Sequence, residues 1–306
     1  MKRSRLTAIL LTLVMGLTIT AGLTACGGSG GAEQAAVQDD GATASGAAVA
    51  AETDTSLTDI QSAGKFTIGC DDAFPPMGFD DNGEIKGFDI DLAKAVAEKI
   101  GVELVVKPID WNAKELELTN GNIDAIWNGY TINADRNKQV EFSKPYLENT
   151  QRLVVKADSA VNSKADLAGK IVGTQVDSAA EEVIKADAGF LSSLKEELRI
   201  YNTYQEAMLD LKSGGRIDAV GGDQILIDYV MAQDPGTFRM LDDVLDSEYY
   251  GIGLRKGSVA LREAIDKAID ELVADGTAAE ISKKWFGADD RIVRDVAKLT
   301  DAELAS

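Results

Sequence analysis

Residues 121–130, GNIDAIWNGY, and residues 215–224, GRIDAVGGDQ, decide the fold because they repeat one pattern at two places in the chain. Each contains Gly-x-Ile-Asp-Ala, and each follows a stretch with helical periodicity, WNAKELELTN or TYQEAMLDLKSG. The leading glycine therefore predicts the end of a helix, and Ile-Asp-Ala predicts the start of a buried strand, at Ile123 and at Ile217. The repeat favours two similar lobes, and a chance match between two common helix-to-strand connections is the alternative.

The region before the first copy predicts a fold of the α/β class. It contains a strand over residues 65–70, an Asn-Gly hairpin turn at residues 82–83, a helix that Asp89 can cap and that ends at Gly101, and a strand over residues 102–107. The order of strand, helix and strand is typical of an α/β sheet.

Composition excludes several classes of function. The chain has 306 residues with 45% hydrophobic content, enough for one or two globular domains. Its formal charge of −20 argues against a nucleic-acid partner, which needs an excess of Lys and Arg. The chain has no histidine, which is the commonest ligand of zinc and the usual base beside a nucleophile. We therefore expect no metal, no cofactor and no catalytic residue.

The two ends of the chain predict segments outside the globular part. Residues 1–26 have a basic start, an apolar run and Leu-Thr-Ala-Cys, which predict an export signal, with a retained transmembrane helix as the alternative. The small residues before Cys26 resemble a lipobox, which implies a lipidated Cys26 that anchors the protein outside the cytoplasm, on the cell membrane of a bacterium. Residues 27–56, rich in Gly, Ala, Ser and Thr, predict a flexible tether, and residues 288–306 a polar tail.

The repeated strands also predict where a ligand would bind. Ligands of open α/β sheets lie beyond the carboxyl ends of the strands. The first repeated strand would deliver Asn128 and Gly129 to a shared cleft, with Thr131 just beyond, and the second strand would deliver Asp223. These side chains are candidates for ligand binding.

Arg136 stands at the start of a predicted helix, where the partial positive charge of the helix terminus makes a cation unfavourable without an anion. A guanidinium on one wall of the cleft and the carboxylate of Asp223 on the other would suit a zwitterion. Two alternatives stay open: Arg136 could pair with Glu141 or another acid, and Asp223 could cap a helix over residues 224–231.

Charged contacts alone are too weak for micromolar affinity, which needs roughly 8 kcal/mol in all. Each charge-assisted hydrogen bond contributes on the order of 1.5 to 3 kcal/mol. Phe74 and Trp111 are aromatic residues that can add contact with a ligand side chain, although each taken singly fits a core position as well.

Eight motifs occur in a fixed order over residues 62–287: IGCDDAFPPMGF, GFDIDLAKAVAEKIG, GNIDAIWNGYTINADR, FSKPY, LAGKIVGTQVDSAAEE, GRIDAVGGD, GIGLRKG and DGTAAEISKKWFG. In this order they resemble the extracellular solute-binding proteins of family 3, the receptors that supply polar amino acids to ABC importers. The resemblance implies a monomer with a two-lobed periplasmic-binding-protein type II fold.

In that fold two hinge segments cross between the lobes, here near residues 148–154 and 248–253. Lobe 1 would comprise residues 57–150 and 249–287, and lobe 2 would comprise residues 151–248.

The resemblance also implies a role for each candidate residue. Arg136 would hold the α-carboxylate of an amino acid, Asp223 would hold the α-ammonium, and Thr131 with the backbone of Gly129 would contact the same groups. Ser178 and Ala179 would offer a helix amino terminus to the carboxylate.

Phe74 and Trp111 would enclose the ligand side chain, with Asp71 at its far end. One departure concerns Asp177, which lies where the family often has glycine. An acid there would repel a carboxylate, so we expect Asp177 to turn away and cap the helix, leaving Ser178 to meet the ligand.

We therefore predict that the protein binds a free polar amino acid by lobe closure, passes it to a membrane permease and catalyses no reaction. The acids Asp71, Asp72 and Asp110 favour a cationic or amide side chain on the ligand. A cyclohexadienyl or prephenate-type dehydratase, or a ligand-sensing domain, on the same fold is the alternative. A dehydratase would need a carboxylate, Lys or Tyr as its general acid.

Overall fold

Two five-stranded sheets and a small third sheet organise the residues that the computed structural model describes, 53–288 and 290–293. The strands are β1 (Lys65–Cys70), β2 (Ala73–Phe74), β3 (Gly78–Asp81), β4 (Glu84–Lys86), β5 (Glu103–Pro108), β6 (Ala125–Ile126), β7 (Val140–Phe142), β8 (Leu147–Lys156), β9 (Val172–Gln175), β10 (Arg199–Tyr201), β11 (Ala219–Asp223), β12 (Phe238–Tyr250) and β13 (Gly253–Arg255).

Helices connect most of these strands. They are α1 (Ser56–Ala63), α2 (Phe88–Ile100), α3 (Lys114–Thr119), α4 (Ala134–Gln139), α5 (Ala179–Ala186), α6 (Ala188–Ser193), α7 (Tyr204–Ser213), α8 (Gln224–Gln233), α9 (Val259–Ala274) and α10 (Thr277–Phe286), with short 3-10 turns at Trp111–Ala113 and Lys164–Leu167.

The strand order confirms the predicted two-lobed α/β fold. The sheet of lobe 1 has the order β5-β1-β6-β13-β7, and the sheet of lobe 2 has the order β10-β9-β11-β8-β12. Strand β13 follows β12 in the chain but returns to the first sheet, so the chain passes between the two sheets twice. The long strands β8 and β12 pair antiparallel, from Lys156 with Phe238 to Leu147 with Tyr250, and they carry both crossings.

The repeated Gly-x-Ile-Asp-Ala pattern occupies the same place in both sheets. The backbone N–H of Asp124 donates to the Thr67 carbonyl at 2.7 Å, and its side chain accepts from the Thr67 N–H at 2.9 Å. Asp218 makes the same two bonds with Ile171, at 2.8 and 2.9 Å. In each lobe the aspartate thus fastens the incoming strand to the start of its parallel neighbour. This identity of role favours a repeat over a chance match.

The strands of the repeat begin slightly later than predicted. β6 begins at Ala125 and β11 at Ala219, since the preceding aspartates serve as links rather than ladder residues. Gly121, with φ 73°, follows α3 as predicted, but the residue that ends α7 is Gly214, with φ 72°, and not Gly215.

In lobe 1, the turn and helix-end residues predicted from the sequence were correct, and one helix cap was not. Asn82 and Gly83 have φ 59° and 90°, which confirms the hairpin turn between β3 and β4. Gly101 ends α2 in the left-handed conformation, as predicted. The capping prediction for Asp89 was wrong: Gly87 precedes the helix without a side-chain capping bond, and Asp89 is fully buried in the first turn.

Apolar side chains of the sheets and helices fill the core. Ile68 of β1, Val96 of α2 and Ile265 of α9 are fully buried in lobe 1, and Val172 of β9 is fully buried in lobe 2. No helix within the described part of the chain is long and apolar enough to cross a membrane.

The predicted tail begins against the first crossing strand. Ile292 is buried and pairs with Leu147, and the Val293 N–H donates to the Tyr146 carbonyl at 3.0 Å. The predicted signal with its lipidation site Cys26, the first part of the tether up to residue 52, and residues 294–306 lie outside the described residues.

We expect Asp124→Ala to lower the free energy of unfolding by about 1 to 3 kcal/mol, because the partly buried Thr67 N–H loses its acceptor. Asp218→Ala should cost a similar amount, since it makes the same bonds. Urea denaturation measures both. The exposed Asp158→Ala is the matched control and should stay within about 0.5 kcal/mol of the wild type. Equal stability of all three variants would contradict the structural role of the repeat.

Candidate functional site

A cavity between the two lobes brings the candidate residues together. All ten candidate residues line it, together with two that the sequence did not single out: Asp71, Phe74, Trp111, Asn128, Gly129, Thr131, Arg136, Gln175, Ser178, Ala179, Tyr204 and Asp223.

The cavity lies at the carboxyl ends of the parallel strands of both sheets. β1 and β6 end at its lobe 1 wall, and β9 and β11 end at its lobe 2 wall. The rule for open α/β sheets therefore holds in both lobes. In residues 53–288 and 290–293 no cluster of three Cys, Asp or Glu side chains is arranged to hold a metal ion.

Arg136 forms the positive wall of the cavity. The Asn133 side chain caps α4 by accepting the Arg136 N–H at 2.9 Å, and this bond fixes the start of the helix. Arg136 is only 3% exposed. Its Nη2 donates to the Asp177 carbonyl at 3.2 Å and to the Glu182 carboxylate at 3.0 Å, and both acceptors belong to lobe 2.

The alternative for Arg136 was a pair with Glu141 or another acid. Glu141 instead accepts from Arg262 at 2.8 Å, but Arg136 does pair with another acid, Glu182. Arg136 also donates from Nη1 to the Thr131 carbonyl at 3.4 Å. A guanidinium has five N–H groups, so two of them have no acceptor among the described residues.

Asp223 forms the negative wall. Its Oδ1 accepts from Asn149 Nδ2 at 2.8 Å, from Gln151 Nε2 at 2.9 Å and from the Tyr250 hydroxyl at 2.5 Å. Although Asp223 precedes α8, its side chain makes no capping bond, so the capping alternative was wrong. Burial raises the pKa of this carboxyl.

Asp89, which the sequence predicted only as a helix cap, supports the floor of the cavity. The Gly129 N–H donates to Asp89 Oδ2 at 2.7 Å, and the Tyr146 hydroxyl donates to the same oxygen at 2.9 Å. Burial raises the pKa of Asp89 to about 7. Gly129 has φ 58°, and a Cβ atom there would lie 2.7 Å from Phe74 Cε1. The position therefore needs glycine for both backbone and space.

Asp177 explains the departure from the family's glycine. Its φ of 55° is left-handed, a conformation that glycine adopts freely and Asp tolerates. Its carboxylate does not line the cavity but pairs with Lys114 of α3, whose side chain is fully buried. The expected helix cap was wrong in detail, because Ser178 caps α5 by accepting the Glu181 N–H at 3.1 Å.

The remaining wall is acidic and amide-lined. Asp71 Oδ1 accepts from the Ala73 N–H at 2.9 Å, and Oδ2 accepts from Gln175 Nε2 of lobe 2 at 2.6 Å. The Asp71 N–H donates to Asn128 Oδ1 at 3.0 Å, which explains why Asn128 follows the strand end. Burial raises the pKa of Asp71 to about 6.

Sequence reasoning missed two lining residues and placed two acids too near. Gln175 is the last residue of β9, so the strand-end rule applied to that strand would have found it. Tyr204 starts α7, and its ring lies 5.9 Å from the Phe74 ring across the lobes, which no local pattern indicates. Asp72 and Asp110 are exposed and do not line the cavity.

Comparison with known proteins gives consistent matches. A family model described as bacterial extracellular solute-binding proteins, family 3, matches residues 66–288. The L-cystine-binding protein TcyJ of Escherichia coli K12 is 31% identical over 236 residues, covering 76% of this chain and 86% of that protein. ABC transporter arginine-binding protein 1 of the same organism is 33% identical over 229 residues, covering 73% and 91%.

A solved structure adds the three-dimensional match. An ABC uptake transporter substrate-binding protein from Streptococcus pneumoniae with bound histidine has a TM-score of 0.74 and 38% sequence identity. The match covers 77% of this chain and 97% of that one.

We expect Gly129→Ala to lower the free energy of unfolding by more than Gly121→Ala does. Both glycines have positive φ, so both variants lose roughly 1 kcal/mol for the backbone. Only Gly129→Ala also forces a Cβ against Phe74, since Gly121 has open space around it. Urea denaturation of the two variants gives the difference. Equal losses would show that the cavity floor is not packed as described.

Proposed function

This chain belongs to the bacterial extracellular solute-binding proteins of family 3, and we propose that it binds one free amino acid in the cavity between its lobes. Like the relatives it matches, it is a binding protein of an ABC importer and not an enzyme. The observation that carries the proposal is a small buried cavity with Arg136 on one wall and Asp223 on the other.

The two walls suit the two ends of an amino acid. The free N–H groups of Arg136, with the unbonded N–H of Ala179 at the start of α5, would hold the α-carboxylate. Asp223, fixed by three neutral donors, would accept from the α-ammonium. Thr131 and Gly129 line the cavity between these groups.

Charge balance favours a cationic side chain on the ligand. The charged residues of the cavity wall are Asp71, Asp223 and Arg136. Glu182 already pairs with Arg136 and the α-ammonium would neutralise Asp223, which leaves the buried Asp71 without a counter-ion. A cationic side chain neutralises it, an amide can donate to it, and an acidic side chain would repel it. We therefore propose arginine or a similar cationic amino acid first and glutamine second.

Contacts across the cavity support binding by lobe closure. Gln175 of lobe 2 donates to Asp71 of lobe 1, and Glu182 of lobe 2 accepts from Arg136 of lobe 1. A ligand that touches both walls stabilises this arrangement because an open cleft would offer only one of them. The closed protein would deliver the amino acid to a membrane permease, and a lipid on Cys26 would hold the protein outside the cytoplasm as a monomer.

The experiment that tests the proposal is a thermal-shift panel of the standard amino acids on the full chain at pH 7.5. We expect the largest shift with a cationic amino acid, because its side chain can neutralise Asp71. A ligand at a hundred times its Kd adds about 2.7 kcal/mol to the free energy of unfolding. Arg136→Ala should abolish that shift. Arg262→Ala is the matched control and should retain it, since Arg262 pairs with Glu141 outside the cavity. A full shift in Arg136→Ala would contradict the carboxylate site.

A second prediction separates the role of Asp71 from the rest of the site. Its pKa of about 6 lies above the ordinary value, so the empty cavity holds a neutral Asp71 at lower pH. Binding a cation requires the ionised form. We therefore expect the ratio of the Kd for arginine to the Kd for glutamine to rise up to about tenfold per unit as the pH falls below 6.

Calorimetric titrations with arginine and glutamine between pH 5 and 7.5 measure this ratio, in which effects common to both ligands cancel. Asp71→Asn should make the ratio independent of pH and reduce the preference for arginine. A pH-independent ratio in the wild type would refute the assignment of Asp71 to the ligand side chain.

A further inference from the structure

Asp223, the acid on the negative wall of the cavity, is joined to a second buried acid, Glu248, which does not itself line the cavity. Asp223 of β11 and Glu248 of β12 are 5% and 7% exposed. Asn149 Nδ2 donates to Asp223 Oδ1 at 2.8 Å and to Glu248 Oε1 at 2.6 Å. Gln151 Nε2 donates to the same two oxygens at 2.9 and 2.7 Å. The two amides of β8 therefore bridge the two acids, and their four N–H bonds are all used on this pair.

The groups around the pair supply little positive charge. The Tyr250 hydroxyl of β12 donates to Asp223, and the Tyr204 side chain of α7 lies close by; both are neutral, since burial raises the pKa of each far above its ordinary value. Arg136 of α4 is the cation that acts on Glu248, and it already pairs with Glu182. Arg291 and Glu148 line the same surface hollow as Glu248, and the Arg291 guanidinium lies over the Phe286 ring.

Two adjacent carboxylates with only neutral donors cannot both ionise at low cost in a buried site. Burial and the neighbouring Asp223 carboxylate raise the pKa of Glu248 to about 8, and burial also raises the pKa of Asp223.

We propose that Glu248 is the second acid of the ammonium site, and that the pair of Asp223 and Glu248 holds one proton while the cavity is empty and releases it when the ligand ammonium binds. This inference rests on the proposed function, because the ammonium of the amino acid replaces the charge of the proton. Glu248 also lines a hollow at the protein surface, together with Glu148 and Arg291, so the pair lies close to solvent.

The proposal fixes the sign of a pH effect. Below the pKa of Glu248 the pair carries a proton that must leave on binding, so affinity rises with pH until the empty pair is ionised. Between pH 6 and pH 8 the affinity for an amino acid should rise by roughly 50-fold if one proton is released. This effect applies to every amino acid because it acts at the ammonium, whereas the effect of Asp71 depends on the side chain.

Proton release can be measured directly by calorimetric titration of the full chain with L-arginine at pH 7.5. Titrations in phosphate and in Tris differ in heat by the number of released protons times the difference in buffer ionisation enthalpy. We expect the wild type to release roughly between half a proton and one proton. Glu248→Gln keeps the shape of the side chain but cannot share a proton, so it should bind arginine with no measurable release and a flatter dependence of Kd on pH.

Glu141→Gln is the matched control, because Glu141 pairs with Arg262 outside the cavity and its loss should leave the proton release in place. Equal heats in the two buffers, or a release that persists in Glu248→Gln, would overturn this inference alone. Should Glu248→Gln fail to fold, the wild-type titrations and the change in Kd between pH 6 and pH 8 decide the question. The absence of binding heat with any standard amino acid would instead overturn the proposed function and this inference with it.

Discussion

A buried charge must meet an opposite charge, and the pairing of Arg136 imposes this constraint on the whole molecule. The guanidinium belongs to lobe 1 and is almost fully buried, yet its acid, Glu182, belongs to lobe 2. In this arrangement the burial of Arg136 depends on contact between the lobes. Separating the lobes would return the arginine to water, while closing them requires anions from lobe 2, from the ligand, or from both.

The same constraint explains why residue 177 is an aspartate, although glycine would adopt its backbone conformation at a lower cost in free energy. Asp177 adopts a left-handed backbone, which costs a non-glycine residue some free energy. Its carboxylate meets the fully buried ammonium of Lys114 from the opposite lobe, while its backbone carbonyl accepts from Arg136. One residue of lobe 2 thus serves two cations of lobe 1. A glycine would keep the carbonyl contacts of residue 177 but remove its carboxylate, which leaves Glu115, at 3.4 Å, as the acid paired with Lys114 among the described residues.

The sequence was sufficient to predict what depends on local pattern and on strand ends. Asn128, Gly129 and Asp223 follow from the rule that loops at the carboxyl ends of strands form the site, and the paired Gly-x-Ile-Asp-Ala pattern indicates the two lobes. Contacts between distant segments were beyond such reasoning. Asp89 was predicted to be a helix cap from its place at the start of α2. Its hydrogen bond with Gly129 joins residues 40 positions apart, and a local pattern cannot indicate such a contact. Glu248 was assigned only to a hinge segment. Its link to Asp223 runs through the side chains of Asn149 and Gln151 on β8, which no pattern around residue 248 indicates.

The two poles of the cavity differ in how well the protein alone satisfies them. The positive pole has a protein acid, Glu182, within 3.0 Å of Arg136, so the empty cleft already balances that charge. The negative pole has two acids, Asp223 and Glu248, held only by neutral donors, and Asp71 at the far wall meets an amide rather than a cation. What the empty cavity lacks is positive charge. In the proposed function, the cationic groups of the ligand would supply the positive charge that these acids lack, and its carboxylate would add the contact with Arg136 on the opposite wall.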